Sequence, residues 1–428
     1  MVLRNFHHSS HKLGHLALSQ ALTLISFRHR CAVQSIAVTT LIEPARVDAA
    51  LATAQPHHKM ASLAASAAPR LVLHFDVNET IMVADPAGGD SFEDVLNKML
   101  AKTAFVRRKD GASLHDEWKD GAAAPDELEW RDGVSLDDDS GDPEQALWLR
   151  WEKPDDGSKM ASTTRCLEAH RKTFTETFKR FAGIKQELAT RLRLPPGDWD
   201  ACFKTDDGQH HRFLPAFFET LRVLLDEGRD VSLVIRTFGS DGPTVALALR
   251  AWVAGRHPTV KPPQQAPDWV QRDRVFAGKY DAEGRYTLTP PLNDDGRGTC
   301  LDEAAAVALL EEPRSATVIR DDYAWWAKHD EAPAAGKPFW ITRGSDCHHI
   351  FFDDHIRNSD RKSIVAARCR SSPTDAFVAL DGPATRALHG AYLVRVPTIL
   401  PVRDQRWFLD RIAACEQRWL ELLGPLLA

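Results

Sequence analysis

The sequence has no long apolar run. Nothing in it approaches the ~18 consecutive hydrophobic residues that a membrane-spanning helix needs, so an integral membrane protein is not expected. Cysteine is sparse and scattered: Cys31, Cys166, Cys202, Cys300, Cys347, Cys369 and Cys415 never form a CxxC pair. That excludes zinc-finger and thioredoxin spacings and leaves free thiols in a reducing compartment as the reading of an odd, dispersed set. Positive charge is not in excess, with a formal net charge of -6, and no basic stripe interleaves with aromatics. The electrostatic footprint of a nucleic-acid binder is therefore missing. There is no internal repeat. What remains is 43% hydrophobic and 27% charged residues over 428 positions, a globular composition. At about 100–200 residues per domain, such a length predicts two domains plus tails.

The charge is split. Residues 1–70 hold seven Lys/Arg against only Glu43 and Asp48, together with seven of the 18 histidines, whereas the rest carries 47 basic against 58 acidic residues. Basic, Ser-containing, acid-poor composition is that of a mitochondrial or plastid transit peptide. Met60-Ala61-Ser62, ten residues before the first strand, serves equally as a start and would leave a cytoplasmic protein. The stretch Leu13 to Phe27 is interrupted by Gly14, His15 and Gln20, which disfavours a secretory core. On any of these readings residues 1–69 have no place in the fold.

Beyond the leader, RLVLHF (70–75) reads as a buried strand running into Asp76-Val77-Asn78-Glu79-Thr80. A Gly/Pro turn (85–90) and an amphipathic helix from Phe92 to about Ala104 follow. Residues 107–157 are polar and dotted with Trp118, Trp130, Trp148 and Trp151; the acidic patch from Asp137 to Asp142 lacks an EF-hand's alternating carboxylates and closing Glu, so a solvated loop is expected. Residues 160–193 are expected to form a long helical stretch with Phe174, Phe178 and Phe181 on one face. A helix over 213–227 stopped by Gly228, a strand over 231–235, and a helix opened by Pro243 come next. Helix–strand–helix returns of this kind predict a parallel sheet covered by helices. Residues 274–288 alternate as a hairpin or edge strand. Further strands are expected at 316–319, 338–342, 348–352, 363–367 and 391–396, with helices at 302–311, 323–329 and 405–423.

Three of these strands end in polar groups: Asp76 to Thr80 on the first, Thr237-Phe238-Gly239 on the second, Asp353-Asp354 on the third. On one parallel sheet all carboxyl ends lie along one edge, where ligands bind in α/β folds. Such a set suits phosphoryl transfer. A carboxylate attacks phosphorus to give a covalent intermediate, a hydroxyl and backbone N–H groups hold the phosphate, a lysine offsets its charge, and carboxylates hold a hard cation.

At these residues the sequence resembles the haloacid-dehalogenase-like (HAD) superfamily. LVLHFDVNETI matches its first motif, VSLVIRTFG its second, Lys337 in GKPFW its third, and HHIFFDDHI its fourth, over roughly 70–82 and 210–370. The resemblance implies a parallel Rossmann-like α/β core made of 70–86 and 210–428, with helices on both faces, and a mainly helical cap domain inserted as 87–209. It also implies a Mg²⁺-dependent hydrolase of phosphatase type acting on a small phosphorylated metabolite. Asp76 would be the nucleophile, Lys337 would steady it, and Thr237, Phe238 and Gly239 would bind phosphate. Asp76, the Asn78 backbone carbonyl, Asp353 and Asp354 would hold the metal.

One departure stands out. Where the family's hydrolases carry a second Asp as general acid–base, this chain has Asn78, and an amide can neither donate nor accept that proton. A missing general acid–base costs typically ~10²–10⁴ in rate. Either the leaving group is good, or another carboxylate (Glu79 and Asp85 are nearby) takes over, or the protein binds a phosphorylated ligand without turnover. A dehalogenase, which needs no such proton, is a further alternative, but its chemistry needs no metal. Rival assignments remain in view: Lys279 for the lysine, Asp321-Asp322 for the metal pair with helix capping as its alternative role, and a zinc site among Cys347, His348, His349 and His355 against plain strand-edge packing. Lys98 and Lys102, one helical turn apart, either face a phosphate or simply face solvent.

Overall fold

In β1 (Arg70–Asp76), Leu71, Leu73 and Phe75 pack to one side and Val72 and His74 to the other, and all five are buried. A strand apolar on both faces belongs in the middle of a covered sheet, because successive side chains alternate sides. The computed structural model places it there. It describes residues 69–84, 89–108, 128–131, 149–150, 171–177, 179–265, 267, 274–290, 300–357 and 363–427. The leader through residue 68, Asp85, the acidic patch at 137–142, Trp118, Trp148, Trp151 and Phe178 lie outside the described residues.

After β1 come helix α1 (Phe92–Thr103) and three short strands, β2 (Phe105–Arg108), β3 (Leu128–Arg131) and β4 (Leu149–Arg150), paired antiparallel in the order β3-β2-β4. Helices α2 (Phe174–Thr177), α3 (Ala182–Leu192) and α4 (Pro215–Asp226) lead to β5 (Val231–Thr237) and α5 (Gly242–Val253). The hairpin β6 (Val275–Tyr280) and β7 (Tyr286–Thr289), then α6 (Glu303–Leu310), β8 (Ala316–Arg320) and α7 (Tyr323–Lys328) follow. The chain continues through β9 (Lys337–Thr342), β10 (Cys347–Asp353), β11 (Val365–Arg370), β12 (Val378–Ala379), α8 (Gly382–Ala387), β13 (Leu393–Arg395), α9 (Ile399–Arg403) and α10 (Trp407–Leu427).

Seven strands form the central sheet in the order β13-β10-β1-β5-β8-β6-β7, parallel throughout except for the edge hairpin β6-β7. The fold is thus mixed α/β with a mostly parallel sheet. One face is covered by helices: Leu96 and Met99 of α1, Leu188 and Leu192 of α3, Phe217 and Leu221 of α4, Trp252 of α5 and Phe408 of α10 share a core with Leu71, Leu73 and Phe75. Helices α1 and α3, from the segment expected to build a cap, therefore share that core.

The opposite face departs from the expectation of helices alone. There, α6 packs Val307 and Leu310 against Val72 and Ile319, but the rest is covered by a second, three-stranded sheet, β12-β11-β9. Its Phe339 and Val365 pack on Phe351 and Leu393. The stretch 160–193 is also not one helix where it is described: α2, a 3₁₀ turn at Lys179–Phe181 and α3 succeed one another. Positions seven apart on a straight helix lie about 10 Å apart along its axis, yet the Phe174 and Phe181 ring centroids are 5.0 Å apart and both residues are buried. Burying both rings at one place breaks the helix. The expected helix stop is present: Gly228 adopts φ 71°, and its N–H and that of Arg229 return to Leu225 and Leu224. Among the described residues no helix is long and apolar enough to cross a membrane.

Four buried histidines make the fold acid-sensitive. Burial holds His211 down at about 4, His257 at about 3, His348 at about 4 and His74 well below its ordinary value. The unfolded chain protonates these rings near 6.5 while the folded chain resists, so the stability tied to them is complete above about pH 6.5 and drains away as pH falls toward 4. Each tenfold loss of proton affinity is worth about 1.4 kcal/mol, so several kcal/mol are at stake. Urea unfolding is expected to show a midpoint that drops steeply between pH 6.5 and 4.5, with a shallower drop for His257→Gln. A flat midpoint over that range would contradict this assignment.

Candidate active site

The middle strand β1 and its two neighbours, β5 and β10, bring Asp76, Thr237 and Asp353 to one edge of the sheet. Asp76 follows the alternation of Val72 and His74, so its carboxylate lies on the side of the second sheet. That is where the lysine arrives from. Lys337 is the first residue of β9, and its Nζ donates to Asp76 Oδ1 at 2.6 Å and to Asp353 Oδ2 at 2.8 Å. All three residues are buried, Lys337 and Asp353 almost completely. Gly336 makes the placement possible: a Cβ there would fall 2.1 Å from the Ile364 backbone oxygen, which also accepts from the Lys337 N–H at 2.6 Å. The rings of Phe238 and Phe351, centred 5.0 and 5.9 Å from the ammonium, shield it from water.

Burial pushes the Asp76 carboxyl up to about 7 against the opposing pull of Lys337, and the neighbouring Asp353 and Asp354 push it further. For Lys337, burial alone would lower the ammonium, but Asp353 and Asp76 outweigh it and hold it charged. The rival Lys279 is elsewhere: half-exposed at the sheet edge, it pairs with Asp322 at 3.2 Å.

Around this centre the other sequence candidates separate. Asp354 lies beside Asp353, and both carboxylates are engaged on both oxygens: Asp353 by Lys337 and, at Oδ1, by the His355 N–H at 2.8 Å, Asp354 by Lys102 at 2.8 Å on Oδ2 and by His355 Nδ1 at 2.9 Å on Oδ1. Burial would raise the Asp354 carboxyl; His355 and Lys102 outweigh that and hold it well below the usual range. Lys102 also pairs with Glu79 at 2.6 Å, so one face of α1 is tied to the turn after β1. Glu79 itself sits at φ 56°, in the left-handed region, and Thr398 Oγ1 donates to its carbonyl. Lys98, by contrast, pairs with Asp90.

Thr237 Oγ1 accepts from the Gly239 N–H at 2.9 Å, and Phe238 stacks on Trp326. The Asn78 amide donates to Asp241 Oδ2 at 3.2 Å, a carboxylate absent from the sequence expectation because Ser240-Asp241-Gly242-Pro243 reads as an ordinary helix start. Asp321 follows β8 at the same edge, its N–H donating to the Thr237 carbonyl at 2.7 Å, but its carboxylate is committed to the buried Arg236, while Asp322 accepts from Trp325 N as the cap of α7. The four residues of the zinc reading do not converge. His348 faces Ala391 O, His349 faces Glu311 and His74, Cys347 faces Arg70, and only His355 contacts the acidic pair. Among the described residues, Asp353, Asp354 and His355 bring one ligand-type atom each within 4.8 Å of one another.

No protein-family model, curated protein or solved structure matches this chain.

Chemically, the edge offers a buried carboxylate steadied by a fixed ammonium, with a second carboxylate beside it, a hydroxyl and turn on one flank, and an amide–carboxylate pair on the other. Three acids, Asp76, Asp353 and Asp354, face two lysines and a histidine raised by Asp354.

Proposed function

We propose that the protein is a HAD-like, Mg²⁺-dependent hydrolase that cleaves a small phosphorylated metabolite through an aspartyl-phosphate on Asp76. The observation that carries this reading is the Lys337 ammonium held between Asp76 and Asp353 where three parallel strands end side by side. A lysine buried this deeply and paired twice fixes the orientation of one Asp76 oxygen and leaves the other for attack. Thr237, Phe238 and Gly239, on the adjacent strand end, would bind the phosphate. Part of the insertion between β1 and β5 would cover the edge as a cap, while α1, packed on the sheet face, reaches that edge through the Lys102 contact to Asp354.

A divalent cation fits the donor set. Asp76 and Asp353 are hard oxygen donors on neighbouring strands; burial first, then the charges of Asp353 and Asp354, raise Asp76 to about 7, and such an ion would offset the crowded negative charge. Asp76 and Asp353 would hold it, with Asp354 adding charge from behind. When bound, Mg²⁺ would neutralise developing charge on the phosphoryl oxygens.

The test is hydrolysis of p-nitrophenyl phosphate and a panel of small phosphorylated metabolites by the full chain. Turnover is expected with Mg²⁺, loss with EDTA, and recovery on adding Mg²⁺ back. If no ester is turned over and Asp76→Ala alters only ligand affinity, the enzyme reading fails and binding without turnover takes its place.

A further inference from the structure

We infer that Asp241 is the general acid–base of this site, replacing the carboxylate that Asn78 cannot supply. The inference rests on the phosphohydrolase reading and names the residue that reading lacks. Four observations place Asp241. It stands at the N-cap position of α5, where an Asp with extended backbone ordinarily accepts from the helix N–H groups, but its own backbone is already helical at φ -78° and ψ -14°. Asp302, Asp322 and Asp381 accept such bonds at α6, α7 and α8, but the Asp241 carboxylate makes no capping bond. It is turned instead to Asn78, whose Nδ2 donates to Oδ2 at 3.2 Å. It is buried, and it lies over the phosphate-binding turn: a Cβ on Gly239 would meet Asp241 Oδ2 at 2.5 Å and Thr237 Oγ1 at 3.5 Å. Glycine at 239 is thus what makes room for the carboxylate beside the Thr237 hydroxyl. The nearby alternative, Glu79, is occupied by its ion pair with Lys102.

Asn78 therefore has a role of its own. It orients a carboxylate brought in from the next strand, holding Oδ2 so that Oδ1 can carry the proton. In the first step an Asp76 oxygen attacks phosphorus as the P–O bond to the leaving alcohol breaks. The bonding pair goes to the alcohol oxygen, which takes the proton of Asp241. In the second step the Asp241 carboxylate takes a proton from water whose oxygen attacks the phosphorus. The bond to Asp76 breaks, phosphate leaves, and Asp241 ends protonated again.

The test compares kcat/KM of wild type and Asp241→Asn for an alkyl ester, glycerol phosphate, and for p-nitrophenyl phosphate, whose leaving group departs without a proton. Asp241→Asn is expected to lose ~10²–10⁴-fold on the alkyl ester and less than about tenfold on the aryl ester, whose near-normal kcat/KM also reports an intact fold. The double variant Asn78→Asp/Asp241→Asn exchanges the two groups across one hydrogen bond and should regain most of the alkyl-ester rate. A parallel fall on both esters, or no fall on the alkyl ester, overturns the role of Asp241 while leaving Asp76 chemistry standing. If wild type cleaves neither ester, both readings are overturned together.

Discussion

Asp76→Asn is expected to lower phosphate-ester turnover by at least about 10⁴-fold, the scale on which removing a covalent nucleophile acts. An amide of the same shape keeps the contact with Lys337 yet cannot attack phosphorus. Stability should move the other way. In the metal-free protein the Asp76 carboxyl is raised to about 7 by burial and by Asp353 and Asp354. A carboxyl raised on folding is a net cost once the solution is basic enough to ionise it in both states. Urea unfolding of the variant at pH 8 should therefore give a midpoint equal to or above that of wild type. Loss of activity with an unchanged or firmer fold would mark Asp76 as a residue kept for chemistry at the expense of stability. A variant that retains more than about a hundredth of wild-type turnover would remove Asp76 from the mechanism.

The largest structural effect is expected from Asp321→Ala. Arg236 is completely buried, and Asp321 grips it twice, Oδ2 to Nε at 2.8 Å and Oδ1 to Nη2 at 2.6 Å. Nη1 donates to the carbonyl of Pro338, the neighbour of Lys337, at 2.9 Å, and Tyr286 Oη donates to Asp321 at 3.0 Å. The pair thus joins β5, β8 and β7 to the start of β9. Removing one partner strands a guanidinium without water, at a cost of about 3–5 kcal/mol, a large share of the ~5–15 kcal/mol that holds a typical domain together. The adjacent Asp322→Ala should cost less, about 1–2 kcal/mol, as loss of the α7 cap and of the bond from the Tyr280 N–H. Replacing the whole pair with apolar residues of similar volume, Arg236→Met/Asp321→Leu, should recover much of the loss. Denaturant unfolding of the three variants reads the order directly; equal effects of Asp321→Ala and Asp322→Ala would deny the buried pair its role.

Much of the sheet could be read from the residues. RLVLHF, VSLVIRT and HHIFFDD announce themselves because strands buried on both faces are continuous apolar runs, and their polar ends sit where the chain leaves the sheet. The hairpin at β6-β7 was legible from its alternation. Sheet membership was not. PFWIT (338–342) and SIVAA (363–367) read as strands, but a short apolar run carries no mark of which sheet it joins, and only packing on Phe351 and Leu393 sends them to a second layer. That is why Lys337 could be singled out from sequence while its route to Asp76 could not. The break between α2 and α3 escaped for a related reason, since it serves a long-range packing of Phe174 on Phe181. Asp241 escaped because its side chain abandons the local capping bond that its position advertises, for a partner 163 residues away. Lys102 was visible as one of a helical lysine pair, but nothing local tells a lysine facing solvent from one spanning Glu79 and Asp354.

The most direct test is to trap the intermediate. Wild-type protein incubated with Mg²⁺ and a turned-over phosphate ester, quenched in acid, treated with borohydride to reduce any acyl phosphate and digested, should yield one modified peptide, with the reduced side chain at Asp76 and none in Asp76→Asn. Turnover with no modified carboxylate, or with modification at Asp353, Asp354 or Asp241 instead, would contradict an aspartyl-phosphate formed at the end of β1.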